Sequence, residues 1–135
     1  MGVRDLVRYI GFAPNEELVS LYRQSLALVM PTFLGPTNMP PLEAFSLGVP
    51  VLYSGQEDLK SFVSEKALLL DLADPGSFSM QLLKVIDADP EVAELVKRAA
   101  LYIEGETEAK YLAIIARIFR EYQLKMETWP RNRKV

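Results

Sequence analysis

Short apolar runs separated by stretches of helical spacing confine this chain to one broad way of folding. Leu26-Ala27-Leu28-Val29-Met30 is an unbroken apolar run stopped by Pro31. Val49-Pro50-Val51-Leu52-Tyr53 and Ala67-Leu68-Leu69-Leu70 repeat the pattern. A strand that is apolar throughout must be covered on both faces, which is the habit of parallel sheets, and the first run reads as a central strand. Val7-Arg8-Tyr9-Ile10-Gly11-Phe12 reads as a further buried strand ahead of these three. Parallel neighbours need a crossover between them, usually a helix, and the intervals supply helices. Pro14 opens one, with Glu16 and Glu17 in its first turn and Leu18, Leu21, Tyr22 and Ser25 on one face. Pro41-Leu42-Glu43-Ala44-Phe45-Ser46-Leu47 is another, with Gly48 placed to cap its end. From Pro75 onward the spacing is helical, over about 76–87, 90–102 and 106–126. The last carries a stripe of Tyr111, Ile114, Ile115, Ile118, Phe119 and Tyr122. The predicted fold class is α/β: a small parallel sheet with helices on both faces and a helical C-terminal third. The first strand starts almost at Met1 and four strands make a small sheet, a pattern that reads as entered midway through a larger fold.

The residue inventory narrows the chemistry. The 135 residues are 50% hydrophobic and 24% charged, enough for one domain with a real core. There is no cysteine and no histidine, so disulfides, thiolate nucleophiles, imidazole bases and metal sites built on either residue are excluded. Chemistry must rest on carboxylates, hydroxyls, lysine, arginine and backbone amides. A net charge of −3 argues against a nucleic-acid partner. The one basic cluster, Arg131, Arg133 and Lys134, reads as a solvated tail over 128–135. No apolar run reaches the roughly 18 residues of a membrane span, and the start lacks the pattern of a signal peptide. A cytoplasmic protein is the expectation.

Ligands of an open parallel sheet bind beyond the carboxyl ends of its strands, where loops lead into helix N-termini. Residues 31–43, Pro-Thr-Phe-Leu-Gly-Pro-Thr-Asn-Met-Pro-Pro-Leu-Glu, form such a place. Gly35 lets backbone approach a ligand closely, and the helix start offers amides and positive potential to a phosphate. Pro40 and Pro41 have no N–H, so the donors would come from Thr37, Asn38, Met39 and the amides of Leu42 and Glu43. Glu43, read as sitting in the first helical turn, would repel a diphosphate and should point past it to sugar hydroxyls. On pattern alone it equally serves the helix dipole, worth about 0.3–1 kcal/mol.

Several of these segments, in order, resemble the group 1 (family 4) glycosyltransferases. They are Tyr9-Ile10-Gly11-Phe12, the helix with Glu16-Glu17-Leu18 and Leu21-Tyr22, Ala27-Leu28-Val29-Met30-Pro31-Thr32, and above all Pro40-Pro41-Leu42-Glu43-Ala44-Phe45-Ser46-Leu47-Gly48-Val49-Pro50-Val51. Asp71 and the 74–87 helix continue the series, which covers about residues 7–100. The resemblance implies the GT-B architecture, two Rossmann-like domains across a cleft, of which residues 1–127 would be the back half of the C-terminal, donor-binding one. It implies transfer of a hexose-type sugar from a nucleotide donor to a glycan or lipid acceptor with retention of configuration, and no metal or other cofactor. The family motif has two glutamates eight positions apart. The second, which holds the nucleotide ribose, aligns with Glu43, and the first, which faces the donor sugar, aligns with Gly35. Glycine cannot supply that carboxylate, and Thr37 and Asn38 are the candidate replacements through side-chain hydrogen bonds. Gly11 and Phe12, Met39 and Leu42 complete the expected donor site.

The acceptor-binding N-terminal domain and the basic diphosphate clamp are not recognisable in this sequence, so the chain alone is expected to be inactive. Neither Lys60 nor Lys66 occupies a motif position, and Ser54-Gly55-Gln56-Glu57 reads either as a turn or as a flap over the donor. Uncovered sheet edge and the stripe on the last helix suggest a homodimer. Two other readings stay open: a non-catalytic nucleotide-binding or interaction module that kept the fold, and a flavodoxin-like regulatory domain, which would need acidic residues clustered at strand ends.

Overall fold

The computed structural model describes residues 6–34 and 39–128, with side chains through 126. They form α1 (Asn15–Gln24), β1 (Leu28–Met30), α2 (Met39–Ser46), β2 (Val51–Ser54), α3 (Glu57–Val63), β3 (Leu68–Leu70), α4 (Pro75–Ile86), α5 (Pro90–Gly105) and α6 (Glu108–Thr128). The sheet runs β1-β2-β3 and is parallel throughout. Leu28 pairs with Val51 and Met30 with Tyr53, while Leu52 pairs with Leu68 and Ser54 with Leu70.

That register decides which face each side chain enters, because successive strand residues point to opposite sides. Val51 and Tyr53 join Leu28, Met30 and Leu69 on one face. There they meet Tyr22 of α1, Ala44 and Phe45 of α2, Val63 of α3 and Ala99 of α5. Leu52, Leu68 and Leu70 take the other face, against Leu82 and Val85 of α4 and Val92 and Leu95 of α5. All four residues of β2 are buried, as a strand covered on both faces requires. The α/β class, the small parallel sheet, the two helical layers and the helical C-terminal part all match the sequence reading.

Two local expectations do not hold. Residues 7–12 form no strand: Val7, Tyr9 and Phe12 are largely exposed, and the segment joins no sheet. Pairing requires a partner row of N–H and C=O groups, and a strand-like composition does not provide one. As a result β1, read as central, lies at a sheet edge among the described residues, and Leu26 and Val29 keep much of their surface. Between β2 and β3 the crossover is α3, a helix that the sequence reading left unassigned. Its seven residues are too short for periodicity to reveal.

The chain divides into two compact units between Ile103 and Glu104. The first holds the sheet and its helical layers. The second holds α6, where Arg117 pairs with Glu121 along the helix and Lys110 pairs with Glu106 just ahead of it. The basic residues of the tail lie outside the described residues.

Candidate functional site

The helix carrying Glu43 begins at Met39, two residues before Pro41. Proline fits a first helical turn, where its missing N–H is not needed, so Met39, Pro40 and Pro41 together make that turn. Glu43 therefore lies in the second turn, not the first as the sequence suggested, and its amide belongs to the helical hydrogen-bond ladder. What Glu43 offers is its carboxylate. The far end of α2 closes as predicted on Gly48, at φ +70°, with Gly48 N–H donating to Phe45 O and Val49 N–H to Ala44 O. This pair of bonds around a left-handed glycine stops the helix and turns the chain into β2.

The Glu43 side chain is half-buried and faces α1. Tyr22 Oη donates to Glu43 Oε2 at 3.0 Å and approaches Pro40 O at 3.3 Å. Tyr22 is only 8% exposed, packed in the cluster that includes Ala44 and Phe45. Burial, reinforced by the hydrogen bond to Glu43 and by its charge, pushes the Tyr22 phenol up from 10.0 to about 12. Tyr22 thus keeps its proton through neutral pH and serves as a donor. The carboxylate opens on a hollow of about 310 Å³ walled by Leu18, Val19 and Leu47, with Asn15 and Ser46 as its other polar groups.

The other expected site residues fall into three sets. Met39 is exposed in the first turn of α2, and Leu42 on the same helix leans on the core. Gly11, at φ +68°, and Phe12, 93% exposed, lie in the segment before α1 and are not at the end of a strand. Neither lines the hollow over Glu43. Gly35, Thr37 and Asn38 lie outside the described residues. Sequence reading missed Tyr22 as anything beyond a core residue. A phenol placed in an apolar helical stripe is the signal that was available, since a buried tyrosine hydroxyl needs a partner.

A second hollow, of about 500 Å³, lies beyond the carboxyl ends of β2 and β3 and is lined by Gly55, Gln56, Lys60, Asp71 and Ser77. Its polar groups are largely engaged with one another. Gly55 N–H donates to Leu70 O at 2.8 Å, Asp71 N–H donates to Ser77 Oγ at 2.9 Å, and Lys60 pairs with Glu57 at 2.6 Å. Lys66 sits over the Tyr102 ring at 4.6 Å. Both lysines so serve local contacts. No helix among the described residues is long and apolar enough to cross a membrane.

Comparison with known proteins agrees with this arrangement. The model of the family "Glycosyl transferases group 1" matches residues 1–102. The chain is 35% identical over 83 residues to O-antigen chain mannosyltransferase B of Escherichia coli, covering 62% of this chain and 22% of that protein. It is 30% identical over 122 residues to D-inositol 3-phosphate glycosyltransferase of Corynebacterium urealyticum, covering 87% of this chain and 29% of that protein. The chain therefore spans less than a third of the length of these relatives. With an ordered set of motifs, a parallel α/β fold and a family match over most of its length, the chain belongs to the group 1 glycosyltransferases.

Proposed function

We propose that this chain is the back half of the nucleotide-sugar-binding domain of a retaining glycosyltransferase, with Glu43 accepting hydrogen bonds from the ribose of the donor nucleotide. The observation that carries the reading is the state of that carboxylate. It is half-buried in the second turn of a sheet-crossover helix, anchored through one oxygen, and open to a hollow through the rest. A carboxylate is an acceptor with about four lone-pair sites, and a pair of vicinal hydroxyls supplies the donors it lacks. The diphosphate would lie toward the first turn of α2, near Met39 and Leu42, where positive helix potential favours it. Thr37 and Asn38 would meet the donor sugar in place of the carboxylate absent at Gly35, and Gly11 and Phe12 would border the base. The sugar is a hexose and the acceptor a glycan or lipid. No metal or other cofactor takes part, and the work is done in the cytoplasm.

Calorimetric titration of the full-length protein with ribonucleoside diphosphates tests the role of Glu43. Glu43→Ala is expected to weaken binding by about 1.5–3 kcal/mol, the scale of hydrogen bonds to a charged group. Unchanged affinity would exclude the ribose role and leave a helix residue of structural value only.

A further inference from the structure

We infer that Tyr22 is a positioning residue for Glu43: it holds one carboxylate oxygen so that the other is presented to the nucleotide ribose. The inference rests on the proposed ribose role of Glu43 and goes beyond it by naming what sets the geometry of that contact. A glutamate on a helix has three rotatable side-chain bonds and would ordinarily sample several rotamers. Here Oε2 is taken by the Tyr22 hydroxyl at 3.0 Å, which leaves Oε1 for a ligand. The hydroxyl is itself placed by the core, because its ring is buried on α1 among Ala44 and Phe45 of α2. Its approach to Pro40 O ties the same group to the first turn of α2. With its phenol well above neutral pH, Tyr22 can only donate to the carboxylate, so the orientation does not reverse.

Fixing a recognition group before the ligand arrives reduces the ordering cost of binding. Removing the hydroxyl while keeping the ring should therefore weaken only those ligands that use Glu43. The test measures affinity of the full-length protein for ADP, GDP and UDP and for their 2′,3′-dideoxy counterparts, which lack both ribose hydroxyls, in wild type, Tyr22→Phe, Glu43→Ala and the double variant. Wild type should prefer at least one ribonucleotide over its dideoxy form, and Glu43→Ala should bring that ratio near one. Tyr22→Phe should weaken the ribonucleotide about threefold to tenfold, the scale of one hydrogen bond, leave the dideoxy forms unchanged, and add nothing in the Glu43→Ala background.

A Tyr22→Phe protein that keeps the full wild-type ratio, while Glu43→Ala loses it, overturns the inference and leaves the ribose reading standing. Equal weakening of ribo and dideoxy probes by Tyr22→Phe reduces Tyr22 to a packing role and likewise overturns it. A wild-type ratio retained in Glu43→Ala defeats the ribose reading itself, and the positioning role falls with it.

Discussion

Gly55 shows how much a single carbon atom can decide. It follows β2 directly, and a Cβ built on it would stand 2.9 Å from Leu70 O, a backbone atom with nowhere to move. The close approach is what lets Gly55 N–H donate to that same oxygen and extend the β2–β3 pairing past Ser54. Gly55→Ala should lower stability by about 1–3 kcal/mol, the usual cost of overpacking, read as a fall in denaturant midpoint at constant slope. Tyr22 gives a prediction with a pH window. Its folded pKa, about 12, lies above the ordinary 10.0, so the protonated form is favoured by folding. That stabilisation is complete below pH 10 and disappears as pH rises toward 12. The stability advantage of wild type over Tyr22→Phe should be constant through neutral pH and narrow between those values in alkaline unfolding. A gap that stays constant to pH 12 would mean that the phenol is not held in its neutral form.

Helix ends make the clearest case at the scale of elements. α4 starts on Asp74, whose side chain accepts from Gly76 N–H, with Pro75 in the first turn. Its other end repeats the closure seen at Gly48, with Asp89 N–H donating to Lys84 O and Ala88 N–H to Val85 O. Here the residue in the left-handed position, at φ 53°, is alanine. A side chain there is strained by about 1–2 kcal/mol, partly offset because glycine is more costly to order from the unfolded state. Ala88→Gly is expected to stabilise by about 0.5–1 kcal/mol, a modest rise in melting temperature. A fall would show that the strain is relieved elsewhere. Elements were legible where their signals are local. Pro14, Gly48 and Pro75 mark ends by their own backbone chemistry, and α1, α2 and α4 follow them within a few residues. Residues 7–12 were misread because a β composition says only that a segment suits a sheet, not that an edge is available for it.

For the whole molecule, the first unit contains the sheet and both helical layers, and the second contains α6. The relatives are more than three times as long as the stretch they share with this chain. On the proposed reading, the diphosphate clamp and the acceptor surface belong to parts of such a protein beyond these 135 residues. Positioning of reactants can supply about 7–11 kcal/mol of barrier lowering. The purified chain by itself is therefore expected to transfer no sugar from any nucleotide donor to any acceptor, as measured by release of the nucleoside diphosphate above the uncatalysed rate. Turnover by the chain alone would show that acceptor and phosphates are both held within it.

The sequence by itself determined the class of fold, because short apolar runs between helical stretches can be covered only in a parallel sheet with helices on both faces. It also marked the ends of several helices, since capping signals are written in neighbouring residues, and it pointed to Glu43 through a motif resemblance. Only the tertiary structure decided which strand is an edge and which face each residue of β2 enters, for these depend on pairing between segments distant in the chain. It alone joined Tyr22 to Glu43, across 21 positions of sequence. A hydrogen bond between two helices exists only once both have packed on the same face of the sheet.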